Sequence, residues 1–103
     1  MIRVQIVKKE GQYQRFSIDG HAGYAEMGED IVCAAVSALV INTINSIEKY
    51  TDDAFTCDCQ DGIVKNWEFT SEVSRESALL MDSLLLGLQN IQKSYGEQYL
   101  QIT

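Results

Sequence analysis

The chain is short and acidic: 103 residues, 46% hydrophobic and 22% charged, with 15 acidic and 8 basic residues and a net charge of −7. This length predicts a single domain over residues 1–103. The negative charge disfavours direct contact with nucleic acid and favours a basic partner. Alternatively, the charge simply keeps the domain in solution. The N-terminus has no continuous apolar run like that of a signal peptide or membrane span. We therefore expect a cytoplasmic protein without membrane association. In that compartment we expect its three cysteines to be reduced thiols.

The N-terminal 20 residues predict a β-hairpin. Ile2, Val4 and Ile6 alternate with polar residues and share one face of a first strand. Phe16 and Ile18 mark a second strand after the turn sequence KEGQ.

The pattern becomes helical from Ile31 to about Tyr50. Apolar residues recur there at helical spacing: Val36, Val40, Ile44 and Ile47. The first half, IVCAAVSALVI, is apolar nearly all round, which is typical of a deeply buried helix. We therefore expect its N-terminal turn to lie close to the core or to an interface.

A second hairpin follows, with a QDG turn. One face of its first strand carries Phe55, Cys57 and Cys59, and one face of the return strand carries Ile63, Trp67 and Phe69, interrupted by Lys65. Two cysteines and one histidine fall short of a zinc set, so we expect no metal site. Alternation instead predicts that Cys57 and Cys59 pack into the core with Phe55.

From about Ser74 a second helix is predicted, ending at Gly96, with one apolar stripe of Met81, Leu84, Leu88 and Ile91. Gly87 inside it marks either close approach of another backbone or a chance substitution. The last residues could add a short strand.

The order ββαββα(β) predicts an α+β fold: a two-layer sandwich in which an antiparallel sheet from two hairpins packs against two helices.

The stretch GHAGYAEMGEDIVCAAVS, residues 20–37, leads from the second strand into the first helix. Asp30 directly precedes the helical run and is a good N-cap, which places Cys33 in the first turn. The positive end of the helix dipole stabilises a thiolate there, and free N–H groups of that turn could hold an oxyanion. His21, the one histidine of the chain, is suited to act as the base.

Each of these residues also has a structural interpretation. A cysteine in an apolar helix is usually a small core residue, and a single histidine at a strand end is usually a hydrogen-bonded surface residue. Ser37, one turn after Cys33, could bond near the nucleophile or back to its own helix. Spacing alone therefore leaves the pair of His21 and Cys33 as a hypothesis.

Glycines punctuate the loop between the histidine and the cysteine. Gly20, Gly23 and Gly28 give it freedom to close over a ligand. Gly28 permits either close approach of a substrate or an unusual backbone angle before the cap, and a structural role alone would also explain it.

The block GHAGYAEMGEDIVCAAVSAL, on a chain of this length and element order, resembles the bacterial ribosomal-processing cysteine proteases of the Prp family. The likeness covers essentially the whole chain and is most specific at the pair Gly20 and His21 and over residues 28–37. It implies that Cys33 is the nucleophile and His21 its base. Asp30 is then either a helix cap alone or also the third member of a catalytic triad, in which it orients His21. We favour the role of a cap alone.

The resemblance implies an endopeptidase that removes a short N-terminal extension from a basic protein of the large ribosomal subunit, the twenty-seventh in the bacterial series. Cleavage falls after Phe and before Ala in a segment similar to Leu-Gln-Phe-Phe-Ala. The resemblance also implies a homodimer and a mobile loop between His21 and Cys33, and we expect no cofactor. Tyr24 and Met27 would line an apolar slot for the aromatic residues or anchor the loop. The alternative from another class is a non-catalytic dimeric adaptor that binds a ribosomal protein during ribosome assembly.

Overall fold

The computed structural model describes residues 1–26, 28–60 and 63–103, apart from the side chains of Gln60 and Ile63. The elements follow the predicted order: β1 (Ile2–Lys9), β2 (Gln12–Asp19), α1 (Ile31–Tyr50), β3 (Phe55–Gln60), β4 (Ile63–Phe69), α2 (Arg75–Tyr95) and β5 (Leu100–Ile102). The QDG turn predicted between β3 and β4, the face assigned to Ile63 and the loop residue Met27 lie outside the described residues.

The strands form one five-stranded sheet in the order β3-β4-β2-β1-β5. Both hairpins are antiparallel, as predicted. Glu10 and Gly11, with φ of 54° and 80°, make the tight turn of the first hairpin, where left-handed backbone matches the twist of the flanking strands. The C-terminal strand pairs in parallel with β1, placing Ile2 opposite Leu100, so the sheet is mixed at this edge.

Both helices begin at the predicted positions, and α2 ends at the predicted Gly96. The Asp30 carboxylate caps α1, and the Ser74 hydroxyl accepts a hydrogen bond from the Ser77 amide at the start of α2. Gly96 ends α2 with a φ of 121°. A Cβ on Gly87 would lie 2.7 Å from Leu39 Cδ1. Gly87 therefore lets α1 and α2 pack closely, and the group that approaches it is the Leu39 side chain rather than another backbone.

The core lies between the helices and one face of the sheet. Phe16 on β2 and Trp67 on β4 are directly paired, and their rings stack with centroids 4.2 Å apart at the centre of that face. The helix stripes cover them: Val36, Val40, Ile44 and Ile47 of α1 and Met81, Leu84 and Leu88 of α2 are buried, as predicted. Ile91, the last residue of the predicted α2 stripe, is only partly buried.

The first half of α1 is less buried than its composition predicts. Ile31 and Ile41 remain 52% and 40% exposed, because only one side of the helix meets the sheet and α2. The helix is long and apolar enough to cross a membrane, but its buried stripe packs in the core described above. Part of the surplus apolar surface borders the cavity described below, which Ile41 lines.

A bulge in β4 explains the interruption at Lys65. Asp58 lies opposite Asn66 while Cys59 lies opposite Val64, so Lys65 is an extra residue in the ladder. The shift turns Val64 to the core side, where it is buried. The alternation in the sequence breaks at Lys65 for this reason.

The prediction that Cys57 and Cys59 pack into the core is wrong, because both are exposed. Cys57 pairs with Trp67 and therefore shares the core-facing side of the sheet. However, β3 is an edge strand, and an edge position leaves these side chains beyond the layer of helices. The periodicity correctly predicts the face, but not how far the helices cover it.

The exposed thiols lead to a prediction about alkylation. Desolvation, aided by the nearby charges of Cys59 and Asp58, raises the pKa of the Cys57 thiol. Since only the thiolate reacts, iodoacetamide at pH 8 should modify Cys57 in the folded protein more slowly than in the urea-unfolded chain. Peptide mass spectrometry after timed quenching measures both rates. Equal rates in the two states would contradict the prediction.

Candidate active site

The end of β2 brings His21 and its neighbours to the first turn of α1. Gly20 follows β2 with a φ of 90°, and the chain turns so that the Ala22 amide donates a hydrogen bond to Cys33 Sγ at 3.2 Å. Ala22 is buried and Cys33 half-buried, whereas His21 is exposed. The backbone next to the predicted base therefore contacts the predicted nucleophile directly.

Asp30 joins the loop to the helix. Its Oδ1 accepts hydrogen bonds from the amides of Val32 and Cys33, each at 3.0 Å. Its Oδ2 accepts from the Tyr24 amide at 3.0 Å and from the Ala25 amide at 3.4 Å. Both carboxylate oxygens are thus used by backbone donors, which supports the predicted role of Asp30 as a cap.

His21 has no side-chain hydrogen bond to either of its predicted partners, Cys33 and Asp30, within the part of the chain that the structure describes. The geometry of a catalytic pair often tightens only when substrate binds.

The capping bonds make Asp30 a source of pH-dependent stability. Burial disfavours its charged form, but four backbone hydrogen bonds outweigh that effect and lower the pKa of the carboxyl from its ordinary value of 3.8. The unfolded chain therefore takes up the proton first, and stability declines as the pH falls below about 4.

Replacing Asp30 by serine tests this linkage. Serine can still cap the helix, but it carries no charge and is too short to reach the loop amides as well. The variant should unfold at lower urea concentration at pH 7 and lose less stability than the wild type between pH 5 and pH 3. Urea titrations followed by circular dichroism give both values, and identical pH slopes would contradict the assignment.

The first-turn amides, expected to be free for an oxyanion, are largely occupied. The Val32 and Cys33 amides donate to the Asp30 carboxylate, and the Ala34 amide donates to the Asp30 carbonyl oxygen at 3.0 Å. That expectation is therefore wrong for the Val32 and Cys33 amides, because the carboxylate that caps the helix accepts their hydrogen bonds. The Ala34 amide makes the first regular helical bond and is not one of the free donors.

Two cavities meet at the predicted dyad, and His21, Cys33 and Ser37 line both. The first has a volume of about 380 Å³ and a largely aliphatic wall made by Ile2, Ile18, Val36, Val40, Ile41 and Val64. The second, of about 450 Å³, runs along the loop past Gly23, Gly28 and Asp30. An extended peptide lying across Cys33 could place one side chain in each cavity.

Residues from β1 and β4 complete the first cavity, and the sequence does not predict them. Ile2, Val64 and Lys65 are far from the glycine-rich loop in the chain and reach the site only through the strand order. The one available signal is the break in alternation at Lys65, which marks the bulge but not the cavity beside it.

Tyr24 anchors the loop and is not a lining residue of either cavity. Its ring makes edge contacts with Tyr95 at 5.5 Å and Tyr99 at 5.2 Å between centroids, where α2 ends and the chain approaches β5. This supports the interpretation of Tyr24 as an anchor rather than a wall of the slot.

Residues 1–26, 28–60 and 63–103 contain no group of three or more His, Cys, Asp or Glu side chains placed to hold a metal ion.

Comparison with known proteins shows the family of this chain. A family model described as the cysteine protease Prp matches residues 1–100. The chain belongs to this family of cysteine proteases. The ribosomal processing cysteine protease Prp of Staphylococcus aureus (strain Mu50) is 33% identical over 99 residues, covering 94% of this chain and 93% of that protein. The Prp protease of Bacillus subtilis (strain 168) is 30% identical over 87 residues, covering 80% and 78%.

Solved structures of the Prp family have the same fold. A crystal structure of the S. aureus protease with a covalently linked product peptide has a TM-score of 0.91 at 30% identity, and the match covers 100% of this chain and 98% of that one. A second structure of the S. aureus protease, with a substrate peptide, has a TM-score of 0.85 at 30% identity and the same coverage.

Proposed function

We propose that this chain cleaves peptide bonds with a dyad in which Cys33 is the nucleophile and His21 the base. The hydrogen bond from the Ala22 amide to Cys33 Sγ carries the proposal, because it holds the residue next to His21 at the thiol. Both side chains also line the same two cavities. The covalently linked product peptide in the S. aureus relative supports a covalent route.

In this proposal His21 takes the thiol proton of Cys33, and the thiolate bonds to the carbonyl carbon of the substrate. The tetrahedral intermediate then breaks its C–N bond, and His21 returns the proton to the leaving amine. Water hydrolyses the remaining thioester and regenerates the thiol. Asp30 acts as the cap that holds the loop and the helix together, and Ser37 lies beside the bound peptide in both cavities.

The proposed substrate is the N-terminally extended twenty-seventh protein of the large ribosomal subunit, cut after Phe and before Ala. The aliphatic first cavity suits an aromatic side chain, since apolar pockets with a few polar groups bind such groups well. The net charge of −7 favours encounter with a basic protein. The relatives' description as ribosomal processing proteases agrees with this substrate.

Intact-mass spectrometry of the extended ribosomal protein tests substrate and cleavage position together. Incubation with the wild-type chain should release a segment that ends in Phe and leave a product that begins with Ala. A substrate in which that Phe is replaced by Asp should stay whole. If the wild type binds the extended protein and never shortens it, the protease proposal fails and a binding role, as an adaptor in ribosome assembly, takes its place.

The wall of the first cavity can be tested at Ile41, which is 40% exposed and therefore tolerates substitution. The change Ile41→Asp puts a charge on the aliphatic wall and should raise KM for the Phe-containing substrate about tenfold, because burying an aromatic ring against a carboxylate is unfavourable. Ile31→Asp is the matched control, since Ile31 lies on the same helix, is 52% exposed and is not a lining residue of this cavity. Equal KM values for the two variants would contradict the assignment.

We further propose that residues 1–103 form a single domain that works as a cytoplasmic homodimer, as the family resemblance implies. The dimer would cover apolar surface that one copy leaves exposed, such as Leu79 and Leu86, which are 68% and 59% exposed on α2. Sedimentation velocity at micromolar concentration should give the mass of two chains. A single-chain mass at all concentrations up to the solubility limit would rule out the dimer.

A further inference from the structure

The amide of Ala22 is a backbone donor aimed at the reacting sulfur. Its nitrogen lies 3.2 Å from Cys33 Sγ, and Ala22 itself is 2% exposed, so the donor is held in place by packing. A hydrogen bond to a neutral thiol is weak, whereas one to a charged acceptor is shorter and about twice as strong. This donor therefore bonds more strongly to an acceptor that gains negative charge during the reaction.

The neighbouring amides have other acceptors. Those of Val32 and Cys33 donate to the Asp30 carboxylate at 3.0 Å, and that of Ala34 donates to the Asp30 carbonyl oxygen. Turning any of them to an oxyanion would break the cap or the first helical bond of α1. Turning the Ala22 amide to an oxyanion breaks neither of these bonds, because its present acceptor is the sulfur that takes part in the reaction.

We propose that the Ala22 N–H is the oxyanion donor of this protease, an inference that rests on the proposed function of Cys33. As the S–C bond forms, the electron pair of the carbonyl π bond moves to the oxygen, which lies two bonds from Sγ. A donor already 3.2 Å from that sulfur can transfer its hydrogen bond to the oxygen with little movement. When the intermediate collapses, the C=O bond forms again, the C–N bond breaks and His21 supplies the proton to the amine.

Semisynthesis can remove this donor without changing a side chain. Residues 1–32 are made as a synthetic thioester in which an ester oxygen replaces the Ala22 N–H, and are ligated to residues 33–103 through the N-terminal Cys33 of that fragment. An all-amide chain made by the same route gives the reference rate. A second ester at Glu29 is the matched control, because the Glu29 amide lies in the same loop and donates to the Glu26 carbonyl oxygen at 3.0 Å.

For a peptide that contains Phe-Phe-Ala, the Ala22 ester should lower kcat about 10²–10³-fold with little change in KM, while the Glu29 ester changes kcat little. A kcat that stays at the reference value, with Cys33→Ala inactive, would overturn the inference and leave the dyad in place. Equal losses in the two esters would also overturn it, because they would indicate loop support alone. Activity in Cys33→Ala would overturn the proposed function itself.

A measurement on the unmodified protein covers the case in which the ester chain does not fold. A peptide aldehyde ending in Phe forms a hemithioacetal with Cys33, whose oxygen takes the position of the oxyanion. In the ¹⁵N-labelled protein, the Ala22 amide proton should move downfield on adding the aldehyde, as its acceptor changes from sulfur to oxygen. An Ala22 signal that does not move while the hemithioacetal forms would refute the inference.

Discussion

Replacing Cys33 by alanine is expected to lower the rate of cleavage of the extended ribosomal protein by about 10⁴-fold or more, because the change removes the sulfur that forms the covalent intermediate. His21→Ala should lower it about 10³-fold, since the thiol then ionises without a positioned base. The double variant should be no slower than Cys33→Ala alone, because residues that act as one unit are strongly non-additive. Initial rates from quenched reactions analysed by mass spectrometry give these three values.

The other two cysteines provide the matched control for that experiment. Cys57 and Cys59 are exposed on β3 and are not lining residues of the cavities described at the dyad. The variant Cys57→Ala/Cys59→Ala should therefore cleave at the wild-type rate. If this variant lost activity while Cys33→Ala kept it, the nucleophile would lie on β3 and the proposed dyad would be wrong.

Substrate binding separates a chemical from a structural effect of the Cys33 change. Alanine in place of Cys33 removes Sγ and leaves the other residues that line both cavities unchanged. The variant should bind the extended ribosomal protein with an affinity close to that of a wild-type chain whose thiol has been blocked by methylation. Isothermal titration with each chain measures this, and complete loss of binding would indicate that Cys33 supports the structure rather than the chemistry.

The elements and their ends follow from local sequence. Asp30, Ser74 and Gly96 sit at helix ends because short-range capping decides those positions, and such effects are visible in a few neighbouring residues. The buried stripes of α1 and α2 follow equally from helical periodicity. The family resemblance then directs attention to Cys33 and His21, which periodicity alone leaves as a hypothesis.

What local sequence does not predict depends on contacts between distant segments. The exposure of Cys57 follows from the strand order, which makes β3 an edge, and strand order is not encoded in the alternation of that strand. The aliphatic cavity combines Ile2 and Val64 for the same reason. Asp30 accepts hydrogen bonds from the first-turn amides because it is the helix cap, which is a local effect. The hydrogen bond from the Tyr24 amide to the second carboxylate oxygen of Asp30 depends instead on the path of the loop.

Gly20→Ala is the second change with a large expected effect, this time on stability. A Cβ at this position would lie 2.3 Å from the backbone carbonyl oxygen of Met1, and the φ of 90° is unfavourable for any side chain. Because the obstacle is backbone at the start of β1, it cannot move aside without disturbing the pairing of β1 with β2 and β5. We expect the free energy of unfolding to fall by about 3–5 kcal/mol.

Two other glycines of the same loop separate the clash from the backbone angle. Gly23 and Gly28 have φ of 72° and 90°, but a Cβ on either would meet nothing within 4 Å. Gly23→Ala and Gly28→Ala should therefore cost only about 1–2 kcal/mol, the price of a left-handed conformation. Urea unfolding of the three variants measures the difference. Equal losses would show that the left-handed angle alone requires glycine at Gly20, and that β1 yields to the added methyl group at little cost.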